Sequence, residues 1–192
     1  MRIEGIKKHL KGQTIMGRKS TFSAAFASAL APFDTYVREE VAAGLRDLGQ
    51  DPDGELECVY CGGAAATWDH VFSRVVKGEF SGYGHQVRNL VPCCRTCNEK
   101  KGKRPWRDLL QAVASDEAPV RAERIELFLK NSLSVPLTQE AMQAIAPEDF
   151  ARFIKIRTEI FDLMLEADGL AVSIRKKLVA SASGEEAQAT FE

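Results

Sequence analysis

Nowhere does the sequence approach the roughly 20 consecutive apolar residues that cross a bilayer, which excludes a membrane-spanning helix. The first residues, MRIEGIKKHLKGQ, are charged where a secretory signal would be apolar, so a cytoplasmic location is expected and no membrane partner. Internal repeats and low-complexity tracts are absent too, which excludes a repeat array. Excess charge is almost missing: a net charge of -1 argues neither for nor against nucleic acid. Cysteine does not occur outside residues 58–97, yet five lie within them. In a reducing compartment such crowding points to metal ligands rather than disulfides.

What is present describes a globular chain. With 45% hydrophobic and 28% charged residues, its 192 residues suffice for one sizeable domain, or for a small module with a second helical part. The charges are segregated. Arg2, Lys7, Lys8, Lys11, Arg18 and Lys19 crowd the start, and Arg95, Lys100, Lys101, Lys103, Arg104 and Arg107 surround the last cysteines. Each cluster is either a solvated face or a polyanion contact, and the first could be an arm lying along DNA.

Ser20 can cap a helix through TFSAAFASALA that Pro32 interrupts. Then FDTYVREEVAAGLRDLG places Phe33, Tyr36, Val37, Val41 and Leu45 on one helical face, closed by Gly49. Turn formers in QDPDGE mark a boundary. Short β runs are expected at ATWDHVF and VRNLVPC, joined by the glycine-rich loop KGEFSGYGHQ rather than a tight hairpin. A helix through CRTCNEKKGK should end at Gly102 and Pro105. Further helices are expected at WRDLLQAVA, VRAERIELFLKNSL, TQEAMQAIA and PEDFARFIKIRTEIFDLMLEADGL. In the last, Phe150, Phe153, Ile154, Ile160, Phe161 and Met164 form a stripe expected in the core, as are Trp68 and Trp106. The predicted fold is α+β and mostly helical, with a basic arm and helices at 1–54, a small module at 55–108, a helical region at 109–181 and a flexible tail at 182–192.

Cys58-x-x-Cys61 and Cys94-x-x-Cys97 supply four thiolates in two tight knuckles, which suit tetrahedral zinc and leave no position for water or substrate. Such a zinc is structural. Cys93 is left over, a buried thiol or an alternative ligand. A simple zinc ribbon separates its knuckles by about 15–20 residues, whereas residues 62–93 intervene here, so something else is housed inside the clasp.

Asp69 offers a carboxylate, His70 an imidazole and Asn98 an amide oxygen, with Lys101 three residues further along the same helical face. Imidazole suits water activation near neutral pH, and hard oxygens suit Mg²⁺ or Mn²⁺. Residues 58–103, about a quarter of the chain, closely resemble the HNH endonucleases, the ββα-metal fold. The pattern is carried by Cys58/Cys61, Asp69-His70, Asn89-Leu90, Cys94/Cys97 and Asn98-Glu99-Lys100-Lys101-Gly102, in an HNN variant.

The resemblance implies a zinc-clasped ββα module flanked by helices and a metal-dependent endonuclease that leaves 5′-phosphate and 3′-hydroxyl ends. It implies His70 as general base, Asn89 as the residue that holds its loop, and Asp69 with Asn98 as ligands of a catalytic Mg²⁺ or Mn²⁺. Lys100, Lys101, Lys103 and Arg104 would meet backbone phosphates. Neighbours on a regular strand face opposite ways, so for Asp69 and His70 to share a site the strand is expected to end or distort at His70. DNA is the expected partner, RNA an alternative, in restriction, phage defence or a mobile element, with a homodimer or a partner protein of a defence system; cutting both strands would take a dimer or two sequential events. His85, in the loop GYGHQVRN, could touch substrate or metal, but it matches no motif position. The competing reading is a non-catalytic four-cysteine zinc module that binds nucleic acid or protein.

Overall fold

Helical periodicity becomes helix over most of the chain, and the glycine- and cysteine-rich middle becomes short strand. The computed structural model, which describes residues 3–114, 116–132 and 137–189, is α+β and mostly helical, with two small antiparallel sheets. No helix among the described residues is long and apolar enough to cross a membrane. Contacts divide the chain into two compact units, Ala24–Ile145 and the pairing of Met1–Ser23 with Ala146–Glu192.

The larger unit holds the cysteines. Helix α1 (Lys19–Leu30) ends ahead of Pro32, and α2 (Arg38–Asp47) follows. Phe33 and Tyr36 were expected on the α2 face, but they precede the helix and are 79% and 73% exposed. Val37 takes extended angles at the N-cap, so the apolar period starts one turn too early to be helical. Gly49, at φ 74°, closes α2: its N–H reaches Arg46 O at 2.9 Å and Gln50 N–H reaches Leu45 O at 2.9 Å.

Strand β1 (Thr67–His70) pairs antiparallel with a later strand, in the register Thr67↔Cys93, Trp68↔Pro92, Asp69↔Val91 and His70↔Leu90. The excursion between them was expected to be plain loop. It contains its own hairpin, β2 (Val75–Val76) and β3 (Glu79–Phe80), turned by Lys77 and Gly78 at φ 53° and 85°. Two successive positive φ values are what a two-residue turn needs to match strand twist. After a 3-10 turn at Val87–Asn89 comes β4 (Leu90–Cys93), then α3 (Arg95–Lys101), which stops at Gly102 at φ 48°.

Helices α4 (Trp106–Val113), α5 (Ala118–Lys130) and α6 (Gln139–Ile145) complete the unit. Trp106, Leu109 and Leu110 on α4 and Ile125 and Phe128 on α5 recur at helical spacing, and they pack with Tyr60, Val71, Val91, Cys58 and Cys97 into one core. The strand hairpin and α3 are thus fixed against two amphipathic helices. Trp68, expected inside, is instead 45% exposed, because β1 turns Asp69 inward and Trp68 outward.

In the smaller unit, the 43-residue helix α7 (Pro147–Ala189) carries the predicted stripe. Only Met164 is buried; Phe150, Phe153, Ile154, Ile160 and Phe161 are half-buried. Lys19 lies 5.0 Å from the Phe161 ring centre, and Asp168 accepts the Ile15 and Met16 N–H groups at 2.7 and 2.9 Å. Of the basic arm, Arg2 lies outside the described residues, as do residues 190–192 of the expected tail.

Candidate active site

Two tight turns bring the cysteines together. In the first, Cys58 N–H donates to Gly63 O at 2.7 Å and Gly62 N–H to Cys58 O at 2.9 Å. Gly62, at φ 76°, supplies the left-handed backbone the curl requires. In the second, Cys94 caps α3, its Sγ accepting the Cys97 N–H at 3.4 Å. The sulfurs of Cys58, Cys61, Cys94 and Cys97 all lie within 4.8 Å of one another. Zinc–sulfur bonds of about 2.3 Å give a tetrahedron with edges of about 3.8 Å, and the Cys61 and Cys94 sulfurs are 3.8 Å apart. This set could hold a metal such as zinc, and a fully sulfur-bound ion has a structural rather than a chemical task.

Cys93 is fully buried, its Sγ 3.9 Å from that of Cys58 and 3.2 Å from Cys94 O. The hydrogen bond to Cys58 and burial push its thiol up, which keeps it protonated and inside.

Asp69 is paired inside the protein rather than presented to an ion. It is 5% exposed; its Oδ2 accepts from Tyr60 OH at 2.7 Å and lies 3.1 Å from Lys101 Nζ, with Oδ1 3.3 Å from the same ammonium. Burial, then Asp69 itself, pushes the Tyr60 hydroxyl up, so that group stays a donor. A divalent ion at this carboxylate would break these bonds and sit beside a fixed positive charge. The residues therefore do not fit the Mg²⁺ or Mn²⁺ site expected of Asp69 and Asn98.

Lys101 is corrected with it: only 2% exposed, it cannot meet a phosphate backbone, and it also donates to His70 O at 2.6 Å. The ammonium thereby ties α3 to the end of β1. Lys101→Met should cost about 3–5 kcal/mol in urea unfolding, because Asp69 would be left buried without a counter-ion. Adding Asp69→Asn should restore part of the loss. If Lys101→Met matches the wild type, the pair does not hold the hairpin.

Strand β1 ends at His70, and alternation sends its side chain away from Asp69. The imidazole Nε2 is 3.2 Å from Nδ1 of His85, whose Nε2 is 2.8 Å from Arg74 NH1; the same guanidinium nitrogen donates to Ser28 Oγ at 3.0 Å. A guanidinium only donates, so His85 Nε2 must accept. Neutral His85 then carries its proton on Nδ1 and donates to His70, leaving His70 Nε2 as acceptor and its own proton on Nδ1. Burial first, then the charges of Arg74, His85 and Lys101, push His70 down to about 4, and burial and Arg74 lower His85 as well. His70 is thus a neutral base beside a cation.

Asn89 is buried and closes the loop after β1, its Oδ1 accepting from Phe72 N at 2.8 Å and its Nδ2 donating to Phe72 O at 3.1 Å and Gly84 O at 3.0 Å. Asn98 is half-buried on α3, and Lys100, Lys103 and Arg104 are exposed. Among the described residues, no hydrogen bond joins Asn98 to Asp69 or His70.

Sequence reasoning left the role of His85 open and missed Arg74. Gly84 brings His85 there: a Cβ on Gly84 would lie 1.9 Å from Pro32 O. Only glycine permits that approach, which lets His85 N–H donate to Pro32 O at 2.9 Å and Asp34 N–H to His85 O at 3.2 Å. The signal available in the sequence was the single glycine before a histidine in GYGHQ. Compared with protein-family models, curated proteins and solved structures, the chain matches none.

Proposed function

We propose that the chain is an HNH-type endonuclease that hydrolyses phosphodiester bonds in DNA, with the strand hairpin, α3 and a zinc-filled cysteine cluster forming a ββα frame. The observation that carries this reading is the neutral His70 imidazole at a strand end, bonded to His85, which in turn meets the Arg74 guanidinium, while Lys101 holds the His70 carbonyl and Asn89 the loop that follows. Backbone hydrolysis needs a base for water and a cation for the charge that gathers on phosphate.

Water that replaces the His85 N–H opposite His70 Nε2 meets a free lone pair. Its proton passes to Nε2, its oxygen bonds to phosphorus, the bond to the 3′ oxygen breaks, and that oxygen takes a proton from solvent. Arg74 bonds Ser28 and His85 through NH1, and its charge faces the same imidazole. Lys100, Lys103 and Arg104 supply further cations for backbone phosphates along α3 and beyond it. No step is assigned to a divalent ion at Asp69.

One observation favours a second reading: Asp69 and Lys101 neutralise each other inside the core, as in a zinc module that only binds nucleic acid or protein. Supercoiled plasmid, incubated with the zinc-loaded full chain in Mg²⁺, Mn²⁺ or EDTA, separates the two. The expected result is conversion to nicked or linear DNA, slowed about 10²-fold by Arg74→Ala, the order of effect of removing one transition-state donor. Binding without conversion of DNA or an RNA strand in any arm would establish the binding module instead.

A further inference from the structure

We infer that the outward face of the β1–β4 hairpin, together with α2, forms a pocket for a single nucleobase of the substrate strand. This rests on the nuclease reading and adds the ligand class.

A cavity of about 300 Å³ opens beside His85, walled by Tyr36, Leu45, Trp68, Leu90 and Phe128. That volume lies at the lower limit of small-molecule sites, enough for one planar heterocycle. Strand geometry explains its position. Trp68 and His70 are two apart on β1 and share a face, and Leu90 is the register partner of His70. The indole therefore points the same way as the imidazole, opposite to buried Asp69.

His85 belongs to both places: it lines the cavity, and its Nδ1 is 3.2 Å from His70 Nε2. A strand whose phosphate sits at Arg74 and His70 thus has its adjoining base next to the cavity mouth. The walls suit that occupant. Trp68 and Tyr36 are large rings left substantially exposed, outside the packed core, and base stacking on such rings is tolerant of sequence. Asp34, on the rim, accepts Val87 N–H through Oδ2 at 2.8 Å, so the carboxylate is fixed where it can accept from an exocyclic amine.

The test uses the full zinc-loaded chain and two probes: a short single-stranded oligodeoxynucleotide, and a strand of equal length made of abasic residues. Affinity is read by fluorescence anisotropy, with plasmid cleavage measured on the same preparations. Wild type should prefer the base-bearing strand by about ten-fold, the worth of one stacked base. Trp68→Ala should abolish that preference and raise KM, with zinc content and circular dichroism unchanged, and Trp68→Phe should keep most of it. Cleavage with equal affinity for both probes would overturn the pocket and leave the nuclease reading standing. A base preference unaltered in Trp68→Ala would also overturn it. Neither cleavage nor binding of either probe would sink both readings.

Discussion

His70→Ala is expected to slow phosphodiester cleavage by about 10²–10⁴-fold, the usual worth of a positioned general base, while zinc content and folding stay as in the wild type. The structural reason for a selective loss is that the fold uses the backbone of His70, not its ring, for anchorage: Lys101 grips the carbonyl. The ring has His85 as its hydrogen-bond partner. Its folded-state value of about 4 lies below the ordinary 6.5, so the base form persists as the medium is acidified. The pH–rate profile should accordingly lack an acid limb from this group until pH nears 4. The stability linkage has a definite sign. Between about 6.5 and 4 the unfolded chain binds the proton that the folded chain refuses, so stability is full above 6.5 and declines as pH falls through that window. Equal cleavage by His70→Ala and wild type would remove the imidazole from the chemistry.

Stripping the cysteine cluster of zinc should unfold the strand hairpin together with α3. A structural zinc contributes on the order of 10–16 kcal/mol in small domains, as much as the roughly 5–15 kcal/mol that holds a whole domain folded. The two knuckles come from chain segments that the cluster joins directly, beside the β1–β4 ladder and the Lys101 bond to His70 O. Chelator titration followed by circular dichroism and zinc release should show one coupled transition, and Cys97→Ser should reproduce it without chelator. Cys93→Ala should instead retain a full complement of zinc, because Cys93 lies outside the four-sulfur set. A metal-free chain with an unaltered spectrum would show that the sulfurs are not the clasp.

How far the sequence reached depends on whether the deciding interaction was local. Paired cysteines at CxxC spacing announce their own turns, and the helical periods of α4 and α5 announced the core they build with Trp106 and Phe128. The helix expected from Phe33 failed because extended angles at Val37, not apolar spacing, set where α2 starts. For Asp69 the contest was between motif and strand alternation. Alternation turned the carboxylate inward, where Tyr60 and Lys101 compensate it from nine and 32 residues away. His85 was illegible for the same kind of reason, since its position follows from a backbone approach between Gly84 and Pro32 that no pattern within either segment reveals.

That approach also bears on how the protein could be dissected. Ser28 holds Arg74, Pro32 and Asp34 hold the backbone of His85, and all three belong to the chain that precedes the first cysteine. A cassette cut to the cysteine-bounded segment would keep its metal clasp and lose the braces on its second imidazole. Those braces and the cysteines fall in one compact unit, Ala24–Ile145, so the smallest fragment that keeps both must reach back beyond the cysteines into α1.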